Sequence, residues 1–511
     1  MKSESPKGGA FLDKIERVGN KMPDITMLFF LATLVCIAVS WALSFVSFDY
    51  IHPLTEQPIE VVNLLSASGL MALMTSLVRN FVNFPPLGIT IVATLGIGIA
   101  ESSGYIRALL QRLLAVVPLK AVTPSVIMIG ILAHIASDSA YVILMPVAAY
   151  IFYKTGKHPL AGIAAAFAGL AGGFTASYTP SIIDPIMAGF TQSAAQIIDP
   201  SYQVNVLCNY FFSVASTFAV LATCWYITDK IVEPRLQASM PVDVEQVEQE
   251  GSEQPTALQQ KAFFWANSIF IAMAVLVTAL MVPESSMFRA PDGSLTSPAS
   301  PAMQLIVPML LVFFAVPGLV YGFMSQTFQS MKDVTKAMET ITTTLISFLV
   351  FAFFAAQFLY CFGQSQIGAL MALAGAEGLK TLALPGQVTI FGVILLTACL
   401  NLVITSASSK WAILAPVLVP MLMMVGLSPE LTQAAFRISD SAVNVSTPMF
   451  AFYPLIIAYM QRYSSTAGVG TLVSIMLPYT VGLLLAFSFM LYLFWGLDIP
   501  LGFGASYTYQ P

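Results

Sequence analysis

The chain has 511 residues, 57 % of them hydrophobic and only 9 % charged, with a mean hydropathy of +0.81. A soluble domain carries about 25 % charged residues, so the composition excludes one and implies a polytopic membrane protein. The formal net charge of −5 is spread over tails and loops and points to no partner, nucleic acid included.

Residues 1–24 are polar and basic, too polar for a signal peptide, and form a cytoplasmic N-terminal segment. The first span is expected at 25–48. Residues 49–82 read as an exterior linker with an amphipathic segment at 61–79, and the second span as 85–103. After a basic linker, residues 121–153 read as a re-entrant hairpin with its tip at 134–140. Each arm is about 15 residues, short of the ~20 needed to cross the hydrocarbon core. A third span, 159–198, is too long for one straight crossing. Gly172-Gly173 and Tyr178-Thr-Pro-Ser181 break it, and Asp184-Pro185 follows. The fourth span, 204–231, completes a first membrane half, 25–231.

Residues 232–260 form a polar, Glu- and Gln-rich cytoplasmic linker expected to lack fixed structure. The second half, 261–500, holds spans at 262–282, 303–323 and 341–361 and a linker at 362–386. A second hairpin follows at 387–425, then a broken eighth span at 429–461, a ninth at 470–495 and a tail, 501–511. Five cysteines, Cys36, Cys208, Cys224, Cys361 and Cys399, lie in apolar segments without metal-ligand spacing and read as packing residues.

The two halves repeat one another. Ser139-Ala-Tyr-Val-Ile-Leu-Met-Pro-Val147 and Ser409-Lys-Trp-Ala-Ile-Leu-Ala-Pro-Val417 share the pattern S-x-aromatic-x-I-L-x-P-V. Each is preceded by a polar knot: His134, Ser137 and Asp138 in the first copy, Thr405-Ser-Ala-Ser-Ser-Lys410 in the second. Each is followed by a Thr-Pro break, Thr179-Pro180 and Thr447-Pro448. Matching interruptions in paired hydrophobic segments point to the binding site of a secondary transporter. The basic residues fix the orientation. With the N-terminus cytoplasmic, the exterior segments carry only Arg79, Arg289 and Lys380, while Lys410 and Arg437 stay in the membrane. Every other one of the 21 Lys and Arg falls inside. That favours nine crossings and makes the hairpins enter from opposite sides.

Ionisable groups inside the bilayer are costly and mark function. Ser137, Asp138 and Ser139 form one candidate oxygen cage for Na+, with Thr175 and Ser177 opposite. Thr405 and Ser406, with Ser408, Asp440 and Ser441, form another. Any one hydroxyl is better explained by bonding back to its own helix. Arg437 lies three residues before Asp440, so the two could pair, or Arg437 could bind a substrate carboxylate through its fork. Lys410 is left open. Trp411 offers a stacking face or simple packing, and Asn401 a ligand or a helix-packing bond. Asp184 is a candidate proton carrier. An intramembrane aspartyl hydrolase using two of Asp138, Asp184 and Asp440 and a channel are the alternatives. Hydrolysis does not need paired inverted hairpins, a channel draws its selectivity from rings of identical groups where this chain offers two dissimilar hairpins, and no nucleotide-binding loop argues for ATP.

The run Asn401-Leu-Val-Ile-Thr-Ser-Ala-Ser-Ser-Lys-Trp-Ala-Ile-Leu-Ala-Pro-Val417, with Ser428-Pro-Glu430, Arg437-Ile-Ser-Asp-Ser441 and Thr447-Pro448, resembles the p-aminobenzoyl-glutamate transporter (AbgT) family. The resemblance covers nearly the whole chain. It implies an all-α polytopic membrane protein with nine transmembrane helices and two oppositely oriented re-entrant hairpins in an inverted repeat, divided into a scaffold and a transport core. It implies a homodimer in a bacterial inner membrane, no cofactor, and coupling to Na+ or H+. The substrate would be p-aminobenzoyl-glutamate or a related aromatic anion, or a sulfonamide-type antimetabolite moved outward. The site residues it implies are Asp184, Asn401, Ser408, Trp411, Pro429, Arg437 and Asp440. All but Pro429 are also singled out by their own chemistry.

Overall fold

The computed structural model describes residues 24–115, 117–133, 139–243 and 255–510. Among these the architecture is all-helical, with two isolated β-bridges, Ile51 to Pro58 and Leu427 to Thr508, and no named strand.

The first half contains α1 (Ile25–Leu43), α2 (Ala67–Val82), α3 (Pro85–Ser102), α4 (Tyr105–Ala115), α5 (Val122–Ala133), α6 (Ser139–Lys154), α7 (Pro159–Leu170), α8 (Ile183–Ala195), α9 (Tyr210–Ile227) and α10 (Glu233–Ser239). The second contains α11 (Ala257–Met281), α12 (Ile306–Met324), α13 (Met331–Thr344), α14 (Ile346–Gln364), α15 (Ile367–Thr381), α16 (Gly386–Asn401), α17 (Ala407–Met423), α18 (Pro429–Asn444), α19 (Tyr453–Gln461) and α20 (Val469–Gly496).

Seven helical stretches among the described residues are long and apolar enough to cross a membrane. Each contains most of an expected unbroken span, and the stretch Ala67–Ser102 also takes in α2, where the amphipathic segment of the exterior linker was expected. The expected third and eighth spans are pairs of short helices, α7 with α8 and α18 with α19, around irregular breaks at 171–182 and 445–452. The expected hairpins are the helix pairs α5/α6 and α16/α17. Ser137 and Asp138, with His134, lie outside the described residues, as does the side chain of Ser139.

Three expectations are corrected. The linker at 362–386 contains helix α15, which packs on α17 and buries Ile367, Ala369, Leu370, Ala372 and Ala376. A small-residue helix with a polar end mimics a loop in composition. The polar linker after residue 231 does not lose structure at once. The fourth span runs on through a π-turn into α10, where Glu233 is buried and accepts the His158 backbone N–H at 2.8 Å. The eighth span, whose interruption is expected to run from Arg437 through Pro448, is not broken at its charges. Helix α18 runs unbroken through Arg437 and Asp440 to Asn444, because those charges find partners on neighbouring helices and the backbone need not open.

The packing of the two repeats is reciprocal. In the first, α6 packs on α7 and on α19, the post-break helix of the second repeat. In the second, α17 packs on α18 and on α8, the post-break helix of the first. The second arm of each expected hairpin, α6 or α17, is thereby clamped to the opposite repeat. Where α5 meets α7, the approach is close enough to require glycine. A Cβ on Gly169 would stand 2.5 Å from the Ile127 carbonyl oxygen.

Candidate functional site

Helix α18 is the centre of the site. All sixteen of its residues are buried, and it is packed by α8, α16, α17 and α20. Ser428 caps its start by accepting the Leu431 N–H at 3.1 Å, and Pro429 takes the first helical position. Proline is suited there because its missing donor would have had no intrahelical partner.

A helix with Glu430, Gln433, Arg437, Ser439, Asp440, Ser441 and Asn444 buried needs polar neighbours on every side. It has them on two faces. Toward the second hairpin, Asp440 Oδ1 accepts from Lys410 Nζ at 2.6 Å, with both side chains 1 % exposed. Lys410 also donates to Asn401 Oδ1, and Asn401 Nδ2 donates to the Asp440 carbonyl at 3.0 Å. Asn444 Nδ2 donates to Asp440 Oδ2 at 3.2 Å. Toward the first repeat, Arg437 Nη1 donates to Asp184 Oδ1 at 2.7 Å. The other Asp184 oxygen accepts the Ser181 N–H (2.8 Å) and hydroxyl (3.1 Å). Thr175 donates to the Arg437 carbonyl at 2.9 Å and pairs with the Ser441 hydroxyl.

Two pairing questions are settled. Arg437 and Asp440 do not neutralise each other; each takes a partner from a different element. Lys410, open in the sequence, is the counter-ion of Asp440. Asp184 and Asp440 are each held by a separate cation, unlike the two carboxylates sharing a proton in an aspartyl hydrolase.

A cavity of about 300 Å³ adjoins both faces. Ser181, Ile182 and Ile183 from the first break line it, with Thr405, Ser406, Ala407 and Ser408 from the second knot, and Asn444. Its aromatic wall is Tyr141, stacked on Phe452 at 4.3 Å, with Phe450 beside them. Ser181 holds Asp184 and Asn444 holds Asp440. Each ion pair therefore stands one hydrogen-bonded residue behind the cavity wall.

The structure thus brings Asp184, Asn401, Arg437 and Asp440 into two buried networks and places Ser408, Thr405 and Ser406 at the cavity. It does not bring all the implied residues to the cavity. Trp411 is fully buried, stacked on Phe436 at 4.5 Å, and donates from Nε1 to Thr191 at 2.9 Å. Its repeat counterpart Tyr141 takes the cavity position instead. Pro429 is buried at the first helical position of α18, after the Ser428 cap. The second oxygen cage does not close around Asp440, whose carboxylate faces Lys410 and Asn444 rather than Thr405 or Ser406. Ser406 instead caps α17 and donates to Ser409 at 2.9 Å. Ser181 and Asn444 were missed as site residues. Their signal was position alone, each next to a charged residue already singled out.

The comparisons agree with this architecture. Residues 10–509 match the model of the AbgT putative transporter family. The chain is 33 % identical over 500 residues to the p-aminobenzoyl-glutamate transport protein of Escherichia coli (strain K12), covering 98 % of this chain and 97 % of that protein. It is similar to the crystal structure of the YdaH transporter of Alcanivorax borkumensis, with TM-score 0.89 and 38 % identity, covering 94 % of this chain and 100 % of that one. It is similar also to MtrF of Neisseria gonorrhoeae, described as illuminating a class of antimetabolite efflux pumps, with TM-score 0.87 and 40 % identity, covering 97 % and 100 %. A match over nearly the whole length, to sequence and structure alike, makes this chain a member of the AbgT family of membrane transporters.

Proposed function

We propose that the protein is a secondary active transporter that carries p-aminobenzoyl-glutamate or a related aromatic anion across a bacterial inner membrane, driven by a Na+ or H+ gradient. One observation carries the reading. The interrupted segments of both repeats line a single cavity, with an ion pair one residue behind each side of it. Nine crossings and two oppositely oriented hairpins, with the N-terminus cytoplasmic, fit the seven long helices, the two broken pairs and the basic-residue asymmetry. The protein works as a homodimer in this reading.

The chemistry follows from the contacts. An aminobenzoyl ring has the Tyr141–Phe452 wall to lie on. A substrate carboxylate that reaches Arg437 competes with Asp184 for the guanidinium, whose Nε has no partner among the described residues. Charge-assisted bonds of this kind are the strong ones. Asp184, once displaced, is a carboxylate available to the coupling cation, Na+ or H+. Exchange of partners at Arg437 gives α18 two arrangements, as alternating access requires.

Export of a sulfonamide-type antimetabolite is the second reading. Among the described residues the cavity wall holds no Lys or Arg, which suits a compact uncharged aromatic amide, and the MtrF relative is described as illuminating a class of antimetabolite efflux pumps. Flux of labelled p-aminobenzoyl-glutamate into proteoliposomes, with Na+ and pH gradients imposed independently, tests the proposal. Saturable accumulation against a concentration gradient under one of the two is expected. Absence of accumulation under both overturns it. Competition by a sulfonamide then separates the two substrate readings.

A further inference from the structure

The polar stripe of α18 that faces the first repeat does not stop at Arg437. Glu430, Gln433 and Arg437 follow one another at helical spacing, the intervals that place side chains on one face. Glu430 is 1 % exposed, and among the described residues no lysine or arginine forms an ion pair with it. The buried ion pairs of the site are those of Lys410 with Asp440 and Arg437 with Asp184. The Glu430 carboxylate oxygens both accept from the Tyr202 hydroxyl, at 3.1 and 3.0 Å. A buried carboxylate without a cation is costly as an anion, and a proton removes that cost. The start of α18 and the tyrosine favour the anion instead. Both forms thus have support, as a group that must load and unload requires.

The surroundings link this carboxyl group to the site. Gln433, one turn on, accepts from Thr191 at 2.6 Å and lies 3.6 Å from Cys208. Thr191 in turn accepts from Trp411. Asn209 donates to the Glu430 carbonyl at 3.2 Å. The titratable groups facing Glu430 are therefore Tyr202 and Cys208 from the segment between α8 and α9, with Tyr509 and Asp199 behind Tyr202. Arg437 with Asp184 lies further along the stripe. Tyr202 ties Glu430 to the connection between the two helices of the first repeat, and Tyr507 accepts the Ser428 N–H from the C-terminal tail.

We propose that Glu430 is a proton-binding site of the transport cycle, separate from Asp184 and Asp440, each of which already holds a cation at rest. On one side of the membrane the carboxylate takes a proton from water and becomes the neutral acid. On the other side it returns that proton, and no electron moves. The Tyr202 hydroxyl bonds the anion and turns to accept from the acid. The link between proton occupancy and the cavity is the contact of α18 with α8, made by Gln433 with Thr191 and by Arg437 with Asp184.

This inference rests on the transport reading, and the test separates the two. Glu430→Gln and Glu430→Asp variants are reconstituted beside the parent protein. Infrared difference spectra across an acid-to-alkaline titration are recorded, and p-aminobenzoyl-glutamate exchange without a gradient and accumulation under a pH gradient are measured. The expected result is a carboxylic-acid band that titrates in the parent and is absent in Glu430→Gln. Exchange should stay within about twofold of the parent, while pH-driven accumulation falls at least about tenfold. Glu430→Asp should keep the band at a displaced midpoint. Identical band changes in parent and Glu430→Gln overturn the inference, whatever the transport result. So does undiminished pH-driven accumulation in Glu430→Gln. Equal loss of exchange and accumulation marks a structural role and also overturns it. If the parent moves no p-aminobenzoyl-glutamate, the substrate reading fails, and the spectra still decide the role of Glu430.

Discussion

Arg437 and Asp440 stand one turn apart on α18, yet they belong to different ion pairs. Arg437 is bound to Asp184 of the first repeat, Asp440 to Lys410 of the second hairpin. The helix thus joins the two repeats electrostatically as well as by packing.

The Lys410–Asp440 pair is almost wholly desolvated. Removing one member of such a pair costs roughly 3–5 kcal/mol, because the other charge is left uncompensated. Lys410→Met is expected to destabilise by about that amount in thermal unfolding in detergent. Lys410→Met combined with Asp440→Asn should recover most of the loss, giving a large coupling energy in the double-mutant cycle. Additive effects would contradict the pairing.

Arg437 is expected to bind the substrate carboxylate. Arg437→Ala should weaken p-aminobenzoyl-glutamate binding by about 10- to 100-fold, the worth of roughly 1.5–3 kcal/mol for a hydrogen bond to a charged group. Lys380→Ala, at an exposed position on α15, should leave affinity unchanged. Equal affinities in the two variants, read in an equilibrium binding assay, would remove Arg437 from the ligand set.

Two aromatic residues at matching places in the repeats should separate into different roles. Tyr141→Leu is expected to lower substrate affinity with little loss of thermal stability, since it takes the ring from the cavity wall. Trp411→Leu should do the reverse. It leaves a void against Phe436 and removes the donor to the Thr191 hydroxyl, a large-to-small core change of a few kcal/mol. The same pattern from both variants would contradict the assignment of the wall to Tyr141.

Gly169 holds α7 against α5. Gly169→Val should destabilise by about 1–3 kcal/mol through overpacking, whereas Gly392→Val on α16, where a Cβ meets nothing within 4 Å, should be near neutral. Unfolding midpoints that move together would argue against the close approach.

The apolar spans and their interruptions were legible because proline, glycine and clustered hydroxyls stand out in an apolar run. Thr405 to Ser408 and the break at Thr179-Pro180 are examples. Arg437 and Asp440 were legible as functional because a buried charge is costly. Their partners were not. Asp184 is 253 positions from Arg437 in the chain, and only the approach of α8 to α18 brings them together. The adjacent charge on the same helix was the better local guess. Trp411 and Tyr141 are interchangeable in the repeat pattern, so which one faces the cavity depends on how the hairpins pack. Helix α15 was hidden by its Ala, Gly and polar content.

The central claim is that the interrupted segments of both repeats bound one water-accessible cavity inside the membrane. Its most direct test is labelling of Ser408→Cys in a Cys399→Ala background with a membrane-impermeant thiol reagent, with and without p-aminobenzoyl-glutamate. Labelling that the substrate slows is the expected result. An introduced thiol that reacts only with lipid-soluble reagents, indifferent to substrate, would contradict the account.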